Sequence, residues 1–238
     1  MADNTEQYQW IVKIKENLEI LFADNPNVFI AGDLLWYPIK STLVYPVAPD
    51  VMVVFGRNKG YRGSYKQWQE DNIPPQVVFE ILSPSNSKSE MIRKLEFYET
   101  YGVEEYYLYN PMKKVFQGWR RIKNQLQEII PINAWVSQVL GIRFQMKNNN
   151  LEIYYPNGDK FLTSIELATK LTQEKKRAEL EKQRAESEKR RAESEKRRAE
   201  SEKLRAEDAT QIANQEKLRA EKLAQRLREL GINPDEIS

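Results

Sequence analysis

In the segment PPQVVFEILSPSNSKSEMIRKLEFY, residues 74–98, the apolar residues Val77, Val78, Phe79, Ile81 and Leu82 surround a single carboxylate, Glu80. A run that is apolar at both parities reads as a strand buried on both faces. A carboxylate in such a strand costs several kcal/mol unless a positive charge or a hydrogen-bond donor meets it. The fold must therefore bring a partner to Glu80.

The surrounding pattern limits which partners are available. Residues 6–23 carry Tyr8, Ile11, Val12, Leu18 and Leu21 near helical spacing, which predicts a first helix. VFIAGDLLWYPI and PDVMVVFG predict two strands, a long polar loop runs from Arg57 to Pro75, and residues 77–82 form the third strand. Ser87 with Glu90 makes a capping box and Gly102 a stop, so a helix is expected over 88–101. EEYYLYN is a fourth core strand. Shorter strands are expected around KVFQGWRRI, LQEII and LEIYY, with turns at Asn124 and Asn157-Gly158. The order of helix, three strands, helix, strand and small β meander predicts an α/β or α+β sandwich.

Charge separates this part from the C-terminal third. Residues 1–172 hold 19 basic and 19 acidic residues, which leaves 18 and 16 of the chain's 37 and 35 for residues 173–238. A neutral globular part lacks the field of a tight non-specific nucleic-acid binder, so contact with DNA requires a local patch. From Arg177 the sequence repeats every seven residues, with alanines at 178, 185, 192, 199, 206, 213 and 220. Glu181, Glu188, Glu195 and Glu202, followed by Lys182, Lys189, Lys196 and Lys203, occupy the positions where a coiled-coil seam would be apolar. Glu186–Arg190 and Glu193–Arg197 support an isolated helix, and only Leu223, Leu227 and Leu230 resemble a packing stripe. The expected organisation is a domain over 1–172 and a charged helical tail over 173–238, either a single solvated helix or a weak coiled coil that joins copies of the chain.

The chain has no Cys and no His. Disulfides, the usual zinc sites and Ser–His or Cys–His nucleophiles are excluded. Catalysis, if present, falls to carboxylates, Lys, Tyr, Ser or a metal, and a carboxylate-only site favours a hard cation such as Mg²⁺ or Mn²⁺. MADNTEQYQW shows no signal-peptide pattern and no apolar run is long enough to span a bilayer, so a cytoplasmic protein without a membrane partner is expected.

Two features single out partners for Glu80. Asp50 enters the neighbouring apolar strand in APDVMVVFG, and two such carboxylates repel unless a cation or proton sits between them. Taken alone, Asp50 is also a common turn residue after Pro49, and Glu80 alone also fits a buried ion pair. On the helix after Glu80, Met91, Leu95, Tyr98 and Tyr101 share one side at about 100° per residue, and Lys94 falls within that arc. A lysine on a buried face needs an anionic partner.

Asp50 after a proline, Glu80 in FEILS and Lys94 in RKLEFYETYGVEEYYLYNP together resemble the PD-(D/E)xK nuclease superfamily. More closely, they resemble the Uma-family restriction-endonuclease-like proteins of bacteria. The resemblance covers roughly residues 5–165. It implies a restriction-endonuclease-like core and metal-dependent cleavage of DNA phosphodiesters. By position, Asp50 and Glu80 would bind Mg²⁺ or Mn²⁺, and Lys94 would be the electrostatic or nucleophile-orienting group. The sequence departs from the superfamily pattern at Leu82, where a lysine would stand two residues after the glutamate; the lysine is expected on the helix instead, with Lys88 a second candidate. Ser83, Asp33, Glu16 and Glu19 are further candidates among which periodicity does not choose.

The loop RNKGYRGSYKQWQ interleaves Arg57, Lys59, Arg62 and Lys66 with Tyr61, Tyr65 and Trp68, which suits phosphate contact and base stacking, or equally an ordinary solvated loop. Because it joins the Asp50 strand to the Glu80 strand, its root is expected at the site. The leading expectation is a Mg²⁺-dependent endodeoxyribonuclease. The alternatives are a nuclease-fold module without catalysis, which binds DNA or protein through its tail, and a glycosidase using Asp50 and Glu80, which would need no lysine on the helix.

Overall fold

The computed structural model describes residues 4–231. The first helix, α1 (Thr5–Leu21), starts where Asn4 Oδ1 accepts the Gln7 N–H at 2.8 Å. The strands and second helix come next as β1 (Val28–Gly32), β2 (Trp36–Tyr37), β3 (Val51–Phe55), β4 (Tyr65–Lys66), β5 (Val77–Ile81) and α2 (Lys88–Thr100). The meander comprises β6 (Glu105–Asn110), β7 (Val115–Ile122), β8 (Gln125–Glu128), β9 (Arg143–Lys147) and β10 (Asn150–Tyr154), and α3 runs over Ser164–Glu229. A short 3₁₀ turn, Gln67–Gln69, succeeds β4. The order of helix, three core strands, helix and strand matches the expected core.

Six strands form one mixed sheet in the order β1-β3-β5-β6-β7-β8. Every neighbouring pair in it is antiparallel except β5–β6, which are parallel and joined by the α2 crossover. Alternation along the strands builds two cores. Val51, Val53, Val77, Phe79 and Ile81 face α1 and the β9–β10 ribbon, packing with Ile11, Ile14, Leu18, Phe144 and Ile153. Met52, Val54, Val78, Tyr106 and Leu108 face α2, packing with Tyr98. Burial on both faces is why these strands read as continuous apolar runs.

Several expectations need correction. VFIAGDLLWYPI breaks into β1 and the two-residue β2, with Asp33 between them at φ 50°, a left-handed turn conformation that Asp tolerates. Tyr8 lies outside the core, 60% exposed, while Gln7 is buried beside Ile11 and Ile14. The strand β9 in RFQMK adds to the expected set. The final helix starts at Ser164 because Thr163 and Glu166 cap each other: Glu166 Oε2 accepts the Thr163 N–H at 2.8 Å and Thr163 Oγ1 accepts the Glu166 N–H at 3.2 Å.

The chain divides into one unit ending at Thr169 and another beginning at Lys170. No described residue of α3 is buried, and Lys203 reaches Glu207 one turn on at 3.9 Å.

Candidate active site

The β3–β5 register ends at Val51 paired with Phe79, so Asp50, just before β3, and Glu80, just after Phe79, lie at the same end of the pair. Glu80 shares the α2 side of the sheet with Val78, while the Asp50 carboxylate, at the strand end, is reached from α1 as well. Asp50 is 9% exposed and Glu80 3% exposed. Asp50 Oδ2 accepts the Ile81 N–H at 2.7 Å, which continues the ladder through a side chain. Gln7, on the first turn of α1, donates from Nε2 to the Ile81 carbonyl at 2.9 Å and reaches Asp50 Oδ2 at 3.4 Å.

Glu80 is met from α2. Lys94 Nζ donates to Glu80 Oε2 at 2.8 Å, with the Lys94 side chain 18% exposed and that of Glu80 3%. The Tyr98 hydroxyl donates to Glu80 Oε1. Lys94 and Tyr98 are four residues apart on one helix, so both point at the same carboxylate. A lysine stem crossing apolar surface to an anion is what the helical arc required.

The electrostatics arise from burial. Desolvation pushes Glu80 up to about 7; the neighbouring Asp50 charge adds to this, and Lys94 opposes it. Burial also raises Asp50, against the Ile81 N–H, Lys94 and Gln7, which favour its charged form. Burial pulls the Lys94 ammonium down, but Glu80 first, then Asp50 and Glu90, outweigh it and leave it above its ordinary value. Burial and the adjacent Glu80 hold the Tyr98 hydroxyl well above its usual range, so Tyr98 is a donor at neutral pH. Two carboxyls facing one ammonium leave the site short of positive charge.

A hard divalent cation fits that deficit. Mg²⁺ is commonly held by one or two carboxylates with water completing its shell. Asp50 and Glu80 are the two carboxylates whose charges bear on each other and on Lys94. Among the described residues, no group of three or more Asp, Glu, His or Cys is placed to hold a metal.

The remaining candidates lie elsewhere or serve locally. Lys88 is exposed on the first turn of α2. Ser83 is buried in a turn, its N–H and hydroxyl bonded to Asn86 Oδ1 at 2.8 and 3.0 Å. Asp33 is exposed, yet its charge bears on Asp50 from the end of β1. Glu16 accepts from Ser164, and Glu19 pairs with Lys15 and Lys59, each at 3.4 Å. The helix α1 does contribute to the site, but through Gln7. Its signal in the sequence is a polar residue four before Ile11 on the buried face, the same signal that marks Lys94.

The cationic loop does not root at the site. In an antiparallel pair, the link from β3 to β5 leaves after Phe55 and returns at Val77, the opposite end from Asp50 and Glu80. At about 3.3 Å per residue that is roughly 10–16 Å along the strands. Three of the four cations are also bound to acids: Arg57 to Asp71 at 2.6 Å, Lys59 to Glu19 at 3.4 Å and Arg62 to Glu70 at 2.6 Å. Arg62 lies 4.1 Å over the Phe29 ring as well. Lys66 is exposed in β4, with no ion pair among the described residues.

A family model described as "Putative restriction endonuclease", Uma2, matches residues 13–149, more than half of the chain. The chain belongs to the Uma2 family. The Uma2 match includes Asp50, Glu80 and Lys94 and begins after Gln7. Among solved structures, the chain is similar to a protein from Anabaena variabilis described as a "putative nuclease belonging to DUF820". The identity is 13%, the TM-score is 0.44, and the alignment covers 58% of this chain and 74% of that one. No curated protein matches. No helix among the described residues is long and apolar enough to cross a membrane.

Proposed function

We propose that this Uma2 protein is a metal-dependent endonuclease that hydrolyses DNA phosphodiester bonds at Asp50, Glu80 and Lys94. The observation that carries the reading is the Lys94 ammonium on Glu80, beside Asp50 across the sheet. Membership of the Uma2 family supports it.

Asp50 and Glu80 would hold the cation, Mg²⁺ or Mn²⁺, which when bound supplies Lewis-acid polarisation and lowers the pKa of water. The chain's own residues perform the rest. Lys94 places a fixed positive charge where negative charge develops on the phosphoryl oxygens, and it meets little competing solvent there. Tyr98 holds the Glu80 carboxylate in one orientation. Gln7 and the Ile81 N–H hold Asp50, so neither acid must reorganise as the phosphate arrives.

A second reading is a nuclease-fold module that binds DNA or protein without cutting. It draws on one observation: Lys94 and Tyr98 each occupy one oxygen of Glu80. Plasmid and oligonucleotide cleavage in Mg²⁺, in Mn²⁺ and in EDTA separates the two. Metal-dependent nicking is the expected result, and binding without nicking in either ion would select the second reading.

A further inference from the structure

Next to the acidic pair lies a cavity of about 480 Å³, between the N-terminal half of α2 and strands β6 and β7. Its volume is within the ~300–1,000 Å³ range of small-ligand sites. It borders the site directly, because Leu108, on its wall, pairs with Glu80 in the β5–β6 register. The Tyr106 and Trp119 rings, stacked at 5.1 Å and 18°, also line it.

The lining is selective in its chemistry. It contains no Asp or Glu, although acids equal bases in this part of the chain, and it contains Lys88 and Lys113. The opening turn of α2 borders it through Ser87 and Lys88, so the positive end of a 13-residue helix adds to the lysines. Asn110 accepts the Lys113 N–H through Oδ1, which leaves its amide nitrogen as a donor. Gln117 donates through Nε2 to Glu128 at 3.3 Å, which leaves its oxygen as an acceptor.

Apolar walls disfavour a bare phosphate, and lysines with carboxamides disfavour a hydrocarbon. A flat ring with polar edges, attached to an anionic backbone, satisfies both. We propose that this cavity receives an unpaired nucleobase of the strand held at Asp50 and Glu80, with Lys88 and Lys113 on the flanking phosphates. This rests on the nuclease reading and adds to it that the preferred substrate is a strand with unstacked bases.

The test is equilibrium binding by the full chain in EDTA at low salt, comparing a short single strand with an abasic strand of the same phosphate number. The base-bearing strand is expected to bind at least about tenfold tighter, the scale of one stacked base. Ile92, 48% exposed at the cavity, can be enlarged without entering the core. Ile92→Trp, which adds a ring at the cavity, should change the affinity for the base-bearing strand and leave that for the abasic strand unchanged. Equal affinities for the two strands, no binding of the base-bearing strand, or a preference that survives Ile92→Trp intact would each overturn the proposal. No cleavage enters this readout. Loss of the preference therefore counts against the cavity alone, whereas failure to cut DNA in Mg²⁺ counts against the nuclease reading.

Discussion

Lys94 Nζ lies 2.8 Å from Glu80 Oε2, the two residues brought together from a helix and a central strand 14 positions apart. The contact resolves the cost of burying Glu80, because the strand's only carboxylate receives the helix's inward-facing cation. It also sets the first prediction. Lys94→Met keeps the packing of the stem and removes the charge. The protein should fold while DNA cleavage falls at least about a hundredfold, the scale of losing one electrostatic stabiliser. Lys88→Met, exposed on the first turn, should cost far less. Steady-state cleavage rates for both variants check the assignment, which fails if their order is reversed.

Binding of a cation between Asp50 and Glu80 would stabilise the folded state by mass action. Millimolar Mg²⁺ or Mn²⁺ should therefore raise the melting temperature. The Asp50→Ala, Glu80→Ala double variant should lose the response. An equal rise in that variant would place the ions elsewhere.

The pH dependence originates in Glu80. Its folded pKa of about 7 lies above its ordinary 4.5, so the folded state holds this proton more tightly than the unfolded one. The contribution to stability is fully present below the unfolded value and is lost as pH rises through 7. In EDTA the melting temperature should fall between roughly pH 5 and pH 8. Glu80→Gln, which cannot ionise, should show a flatter profile by calorimetry; the same slope in both proteins would mean that other groups cause it.

How much of this can be read in the sequence depends on whether a residue contradicts its surroundings. Glu80 and Lys94 are charged residues in apolar settings, and each setting requires a partner, so their pairing is legible. Gln7 contradicts its helical face in the same way but carries no charge, and it stands out less than Glu16 and Glu19, which point elsewhere. Tyr98 is expected only as core, because periodicity shows the ring's side of the helix and not where the hydroxyl ends. The loop carrying Arg57, Lys59, Arg62 and Lys66 is expected at the site and lies away from it, because the β3–β5 connection crosses at the far end of an antiparallel pair. Sequence adjacency to two site strands does not mean adjacency to the site. The cations there also have acidic partners within the same loop, Asp71 for Arg57 and Glu70 for Arg62.

The tail gives a simple stability prediction. Among the described residues the buried apolar ones all lie before Leu162, and the heptads place Glu and Lys where a seam would be. We propose that the domain folds without residues 173–238. Truncation after Leu171 should shift the melting temperature by only a few degrees. An insoluble or molten truncated chain would make the tail part of the fold.

A metal-dependent site at Asp50 and Glu80 is tested most sharply by plasmid nicking with wild type and Asp50→Ala side by side, each in Mg²⁺ and in EDTA. Wild type should nick in Mg²⁺ and not in EDTA. Asp50→Ala should lose at least about a hundredfold when assayed well below its melting temperature, which the loss of the acceptor for the buried Ile81 N–H lowers. Nicking that persists in Asp50→Ala at the wild-type rate, or in EDTA, would rule out that site.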